Sequence, residues 1–222
     1  MILCMADVMT AEELERLRAV LGGGQFVDGR STAGWHAAPV KHNLQLVSGA
    51  DRAADALVLE ALARNEVFQL GVRPRTMRPP LFSRYENGMA YGTHVDDPVM
   101  GPPEAPVRTD VALTLFISAP EDYAGGELVI EGTAGEQAIK LPAGAAVAYP
   151  ANTLHRVEPV TAGRREVAVT WIQSQVREPE RREVLFDLDT LRREEFGTRG
   201  KTRAFDLLSK THANLLRAWA EL

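Results

Sequence analysis

Residues 154–173 read "LHRVEPVTAGRREVAVTWIQ", and this stretch decides the fold. It holds two runs in which apolar and polar residues alternate, as on a strand with one buried face, separated by a "TAG" turn signal. Runs of the same kind, divided by Gly, Pro and Asn, precede it: "LFSRY", "YGTHV", "VALTLFIS", "GELVIEG", "EQAIKL" and "AAVAYP". About eight short strands at this spacing predict an antiparallel sandwich or jelly roll.

Helical patterns flank this β region on the N-terminal side. The stretch "TAEELERLRAVL" opens with a capping box, Thr10 and Glu13, and then places leucines on one face. A second amphipathic helix is predicted over about 51–65, within "GADRAADALVLEALARN". Between the two helices, "KHNLQLV" favours a strand.

Two further amphipathic patterns end the chain, "EPERREVLFDLDTLRREEF" and "TRAFDLLSKTHANLLRAWAEL", with Gly197 and Gly200 between them. They predict a helical hairpin that packs against the β core or against a second subunit. The expected fold class is therefore mainly β with flanking helices. We expect an N-terminal α/β part at 1–75, a β core at 76–177 and a C-terminal helical extension at 178–222.

Composition and charge exclude several classes of protein. The chain has 222 residues, of which 45% are hydrophobic and 25% charged, as in soluble globular proteins. Its net charge of -5 offers no basic face for nucleic acid. No apolar run approaches the ~20 residues of a membrane span, and the acidic start "MILCMADVMT" is a poor signal peptide. With Cys4 as the only cysteine, we expect a cytoplasmic protein.

The segment "YGTHVDDPVM", residues 91–100, raises the question of a metal site. On a strand, His94 and Asp96 lie two apart and point the same way, so they offer an imidazole and a carboxylate to one point. Of the five histidines, His155 is the other one inside the β region. Two histidines and one carboxylate form the facial triad of non-haem Fe(II) oxygenases, which leaves coordination positions open.

An arginine follows His155 by ten residues, in "HRVEPVTAGRREVAVTW". A three-residue turn at "TAG" would pair Val169 with His155 and Pro159 with Arg165, and would place His155 and Arg165 on the same face. The two would then lie about 13 Å apart along the strand. A guanidinium binds a carboxylate bidentately, so Arg165 is predicted to bind a short dicarboxylate in this gap. Arg164 faces the other way.

These residues, with "RYENGMAYGTHVDD", "GGELVI" and "PAGAAVAYPANTLHRVEPVTAGRREVAVTWIQS", resemble the Fe(II)/2-oxoglutarate-dependent dioxygenases. The prolyl 4-hydroxylase-like branch is nearest, and specifically the bacterial PKHD-type hydroxylases, over nearly the whole chain. The resemblance implies a double-stranded β-helix core. It also implies that His94, Asp96 and His155 bind Fe(II), and that Arg165 and Tyr85 bind the distal carboxylate of 2-oxoglutarate. No catalytic residue beyond the metal centre is implied.

The resemblance further implies hydroxylation of an organic or peptidyl substrate by O2, with release of succinate and CO2. L-ascorbate is the implied accessory cofactor, and an association with iron uptake is implied as well. From the residues themselves, a cupin-like iron protein, a zinc hydrolase and an iron or 2-oxoglutarate sensor stay open as alternatives. The substrate and the oligomeric state are also open, including a homo-oligomer formed through the C-terminal helices.

Other residues are predicted to lie near the expected site. The proline-rich segment 97–110 is predicted either as a lid over the metal or as a plain surface loop. Trp35, His42 and Asn43 are candidates for lining a substrate cleft. Trp171 shares the parity of Arg165 and is expected to point into the barrel.

Overall fold

The strand Val111–Phe116 shows why the chain folds in layers, since all 6 of its residues are buried. Leu113 and Leu115 pack with the leucines of the N-terminal helices. Ala112 and Phe116 point the other way and pack with residues of a second sheet, such as Ile130. A strand that is covered on both faces has to lie in the middle of a layered structure.

The computed structural model describes residues 1–47 and 52–221. Its strands are β1 Leu3–Met5, β2 Phe26–Asp28, β3 Lys41–His42, β4 Leu44–Leu46, β5 Pro74–Met77, β6 Leu81–Tyr85, β7 Ala90–His94, β8 Val99–Met100, β9 Val107–Arg108, β10 Val111–Phe116, β11 Tyr123–Gly125, β12 Leu128–Gly132, β13 Gly135–Ile139, β14 Ala146–Pro150, β15 His155–Val157, β16 Val160–Gly163 and β17 Arg165–Ser174. Its α-helices are α1 Ala11–Gly22, α2 Arg52–Arg64, α3 Glu66–Val72, α4 Pro179–Arg199 and α5 Arg203–Trp219.

The strands form two main sheets with antiparallel pairing. The larger sheet has 8 strands in the order β1-β14-β10-β17-β6-β4-β2, with β5 also paired to β17. The smaller sheet has 5 strands in the order β13-β12-β15-β7-β3. Two short ladders, β11-β16 and β8-β9, lie outside them. The inner faces of the two main sheets share one hydrophobic cluster, so the sheets pack face to face.

The N-terminal part supplies strands to both sheets. β1, β2 and β4 join the larger sheet and β3 joins the smaller one. The predicted strand "KHNLQLV" is therefore two short strands, because the chain passes from one sheet to the other at Asn43. The expected boundaries at residues 75 and 177 stay a prediction.

The helices agree with their sequence patterns where the structure describes them. Thr10 caps α1 with the predicted capping box, and the leucines of α1 are buried. The second helix begins at Arg52, and the predicted start at residue 51 lies outside the described residues. α4 and α5 form the predicted hairpin, and Gly200 caps α4. Within residues 1–47 and 52–221, none of the helices combines the length and apolar character that a membrane span needs.

Candidate metal centre

Three side chains predicted from the sequence meet between the two sheets. His94 ends β7 and pairs through its Cα with His155 of β15. Asp96 lies two residues beyond the end of β7, in a loop, so loop geometry and not strand alternation aims its carboxylate. One potential ligand atom from each residue lies within 4.8 Å of the others. His155 Nε2 and Asp96 Oδ2 are 3.9 Å apart.

Hydrogen bonds from the backbone orient both imidazoles in the same way. His94 Nδ1 lies 2.8 Å from the carbonyl of Gly92, and His155 Nδ1 lies 3.0 Å from the carbonyl of Thr153. A carbonyl oxygen can only accept, so each Nδ1 carries the proton and donates it. Each Nε2 then keeps its lone pair free, which is how metal-binding histidines are held.

Burial shifts the pKa values of His94 and Asp96. It lowers the pKa of His94 to about 3, so that imidazole is neutral near pH 7. Burial also raises the pKa of Asp96, and the nearby His155 acts in the opposite direction. Among residues 1–47 and 52–221, Asp96 Oδ2 finds no hydrogen-bond partner although it is buried. Two imidazoles that present Nε2 and one carboxylate short of a partner fit a divalent first-row metal such as Fe(II).

Aromatic rings enclose the three side chains. The ring of Tyr91 stacks on His94 with centroids 3.7 Å apart, and Tyr149 meets His155 edge-on at 5.2 Å. Trp171 points into the barrel, as expected, and lines the cavity. Its indole N–H is directed to Asp96 and acts to lower the pKa of that carboxyl group. Trp171 Nε1 nevertheless completes no hydrogen bond of normal geometry. These rings pack against the two imidazoles and contribute to their burial.

Arg165 lies in the same cavity, which has a volume of about 470 Å³. Its side chain is 1% exposed. The guanidinium carbon lies 5.1 Å from the ring centre of Tyr85, which pairs with it across β6 and β17, and 5.6 Å from that of Phe116. Among the described residues no Asp or Glu forms an ion pair with Arg165, and its Nε has no partner. A buried cation in this state can bind a carboxylate strongly.

The hairpin predicted at "TAG" is wrong. His155 pairs with His94 and Ile130 in the smaller sheet, whereas Arg165 pairs with Tyr85 in the larger one. Val169, expected opposite His155, pairs with residues of β6 and β10.

The physical reason lies in the short ladder at residues 160–163. This segment is strand β16, which pairs with β11. Gly163 adopts a φ of +73° against the carbonyl of Asp122, and the chain then crosses into the larger sheet. His155 and Arg165 consequently face one cavity from opposite sheets.

The structure separates the other cleft candidates. Asn43 is buried beside Tyr85 and lines the cavity, and within the described chain neither polar atom of its side chain makes a hydrogen bond of normal geometry. Trp35 is 89% exposed, and His42 is exposed and does not line the cavity. In the segment 97–110, β8 and β9 form a hairpin whose residues 97 and 99–101 line the cavity.

Sequence reasoning missed Lys41, which is buried and also lines the cavity. The available signal was strand alternation. In "KHNLQLV", the polar residues Lys41, Asn43 and Gln45 share one face.

Comparison with known proteins identifies the family. Residues 80–173 match the 2OG-Fe(II) oxygenase superfamily. A PKHD-type hydroxylase of Synechococcus sp. (strain JA-2-3B'a(2-13)) is 54% identical over 224 residues and covers 100% of both chains. The chain belongs to the PKHD-type hydroxylases. Another member, from Acaryochloris marina (strain MBIC 11017), is 54% identical over 223 residues, again with 100% of both chains covered.

A solved structure supports the fold of this PKHD-type hydroxylase. The Pseudomonas putida prolyl-4-hydroxylase superposes with a TM-score of 0.56 at 18% identity, covering 78% of this chain and 92% of that one. The mainly β, jelly-roll fold with flanking helices is thereby confirmed. The enzyme is a 2-oxoglutarate- and Fe(II)-dependent dioxygenase that uses O2 and an organic substrate. Family membership favours this activity over the cupin-like, hydrolase and sensor alternatives.

Proposed function

We propose that His94, Asp96 and His155 bind the Fe(II) of this dioxygenase, and that Arg165 and Tyr85 bind the distal carboxylate of 2-oxoglutarate. One observation carries the proposal. Two imidazoles with free Nε2 atoms and a carboxylate short of a partner converge in the same cavity as a buried arginine that has no acidic partner among the described residues. A dicarboxylate that reaches from the metal to the arginine would satisfy both groups.

The chain would contribute orientation and exclusion of water. Arg165 would fix one end of the cosubstrate, and the Tyr85 hydroxyl would donate to the same carboxylate. The carbonyls of Gly92 and Thr153 hold the two imidazoles. When bound there, Fe(II) would activate O2, so that 2-oxoglutarate yields succinate and CO2 while the substrate gains a hydroxyl group.

Replacement of the proposed iron ligands tests the metal site. His94→Ala and His155→Ala each remove one of three protein ligands, and we expect each to weaken Fe(II) binding by at least the 10- to 100-fold typical of the outer-shell partners of ligands. His42→Ala is the matched control, since His42 is exposed and does not line the cavity. Anaerobic titration with Fe(II) measures the affinities. Wild-type affinity and turnover in either ligand variant would remove that histidine from the site.

A second measurement tests the cosubstrate role. Anaerobic protein with Fe(II) and 2-oxoglutarate should show the weak visible metal-to-ligand charge-transfer band, and admission of O2 should then produce succinate. The band without succinate would indicate a sensor. Neither the band nor succinate would indicate an iron protein that does not bind 2-oxoglutarate.

The remaining assignments rest on family membership and composition. Ascorbate is proposed as an accessory reductant that keeps the iron ferrous, and omission of ascorbate should shorten the period of linear succinate formation. The single cysteine, Cys4, supports a cytoplasmic location, and the net charge of -5 argues against nucleic acid as a partner.

A homo-oligomer through the C-terminal hairpin is also proposed. The exposed apolar residues Leu191, Phe196 and Leu207 of α4 and α5 support it. Light scattering of the purified protein measures its mass, and a monomer would contradict this assignment.

A further inference from the structure

The inward face of residues 41–45 carries polar side chains where a sandwich normally carries apolar ones. Lys41, Asn43 and Gln45 are 6%, 2% and 5% exposed, whereas His42 between the first two is exposed. All three line the cavity. Burying polar groups is unfavourable unless they gain partners. Gln45 is satisfied by Thr32 and Ser83, whereas Asn43 and Lys41 keep hydrogen-bonding capacity that a polar ligand could use.

Lys41 lies one aromatic ring away from the proposed metal ligands. Its Nζ is 5.1 Å from the ring centre of Tyr91, on the strand paired with β3. The same Tyr91 ring stacks on His94 at 3.7 Å. A group bound to Lys41 would thus lie close to the site where the oxidation takes place.

The ammonium of Lys41 is only partly satisfied by the protein. It donates to Thr32 Oγ1 at 2.9 Å, and Thr32 Oγ1 in turn lies 2.5 Å from Gln45 Oε1. An ammonium has three N–H donors, so this chain fixes the position of the head group and leaves donors for a ligand. In the described part of the chain, no Asp or Glu forms an ion pair with Lys41.

Among the described residues, Asp96 and Asp28 attract the charge of Lys41 from a distance, and neither forms an ion pair with it. The lining cations are Lys41, Arg78 and Arg165, and the lining acids are Asp96 and Asp97. In the proposed function, Arg165 pairs with 2-oxoglutarate and Asp96 with the metal. Asp97 lies against Gly34, and within the described residues it forms no ion pair with Lys41. Lys41 remains the deeply buried cation that neither cofactor accounts for.

We propose that Lys41 binds a carboxylate, or another compact anion, of the substrate that this enzyme hydroxylates. The inference rests on the proposed function, because the position of the metal makes this wall part of the substrate site. It assigns the substrate to the anionic organic molecules. It also makes Lys41 a specificity-determining residue that acts by charge pairing in a water-poor cavity.

Paramagnetic relaxation provides a test that needs no knowledge of the true substrate. The protein is loaded with Mn(II) in place of Fe(II) and with 2-oxoglutarate, and acetate or acetamide is added as the probe. The two probes have nearly the same shape and differ in charge. The relaxation rate of their methyl protons reports binding near the metal. We expect wild-type protein to relax acetate much faster than acetamide, and Lys41→Met to abolish the difference.

Two variants control for charge and for folding. Lys41→Arg keeps the positive charge and should retain part of the acetate preference. Lys201→Met removes the same charge from an exposed lysine of the C-terminal hairpin and should behave as wild type. Binding of Mn(II) and of 2-oxoglutarate is measured in every sample before the probes are added.

Several outcomes would overturn the inference. Equal relaxation of acetate and acetamide by wild-type protein would show that the cavity has no preference for an anion. An unchanged acetate preference in Lys41→Met would place the anion site elsewhere. Weaker binding of 2-oxoglutarate to Lys41→Met would make Lys41 a cosubstrate residue. Failure of wild-type protein to bind Mn(II) or 2-oxoglutarate would instead refute the proposed function, and the inference with it.

Discussion

Arg165→Met should nearly abolish 2-oxoglutarate binding while leaving the iron site intact. The side chain is 1% exposed and lies 5.1 and 5.6 Å from the rings of Tyr85 and Phe116, so a carboxylate bound there is removed from water. Truncating one partner of a buried charge pair costs about 2–5 kcal/mol. At 1.4 kcal/mol for each factor of ten, the Kd for 2-oxoglutarate should rise about 30-fold to about 4,000-fold.

The neighbouring arginine supplies a matched control. Arg164 has a side chain that is 55% exposed and pairs with Glu86 at 3.3 Å. Exposed pairs contribute about 0–1 kcal/mol, so Arg164→Met should leave the Kd unchanged. Anaerobic titration of the Fe(II) protein with 2-oxoglutarate, followed by its charge-transfer band, measures both variants. An Arg165→Met protein with wild-type affinity, or with Fe(II) binding lost to the same degree as 2-oxoglutarate binding, would refute the reasoning.

Two further predictions concern stability and are checked by thermal and denaturant unfolding. Gly163→Ala should destabilise the fold, because Gly163 has a φ of +73° and an added Cβ would lie 2.0 Å from the carbonyl oxygen of Asp122. Gly197→Ala should instead stabilise the fold by about 0.5–1 kcal/mol, because Gly197 lies inside α4 and an added Cβ would have no atom within 4 Å. Equal effects of the two substitutions would contradict the turn geometry. Leu113→Ala should lower the free energy of unfolding by about 2–5 kcal/mol, because Leu113 is fully buried in the cluster that includes the leucines of the N-terminal helices. A loss below about 1 kcal/mol would show that this layer repacks freely.

Local patterns predicted most of the secondary structure because their causes are local. The capping box of Thr10 and Glu13 involves residues three apart, and the buried face of α1 repeats with the helical period. The pairing of strands could not be read in the same way. In "HRVEPVTAGRREV", the "TAG" signal marks a change of sheet, and the partners of β15 and β17 come from distant segments. The strand with which each of them pairs is determined by the packing of the whole sandwich.

The residues of the candidate site could be predicted where their type allows only a few chemical roles. Few residues of the β region can bind a metal, and His94, Asp96 and His155 are of the types that do. Their residue types therefore favoured a metal site over other kinds of site. Lys41 escaped notice because a lysine in a short strand is normally solvent-exposed. Strand alternation groups Lys41 with Asn43 and Gln45, but which face is buried depends on β3 pairing with the strand of Tyr91, a distant segment.

The cavity also explains why this fold keeps polar groups that its interior leaves without partners. In the described part of the chain, four of the eight residues with a buried polar atom that lacks a hydrogen-bond partner line the cavity: Asn43, Asp96, Arg165 and Trp171. Each such atom costs about 1–3 kcal/mol, more for a charged group, and no requirement of the sandwich itself calls for them. A ligand that forms hydrogen bonds or ion pairs with the atoms lining the cavity removes this cost, and the free energy gained contributes to its affinity. We propose that these residues select the ligands, the metal at Asp96 and the dicarboxylate at Arg165. Lys41 differs because it donates to Thr32, and the proposed substrate anion would use its remaining N–H donors.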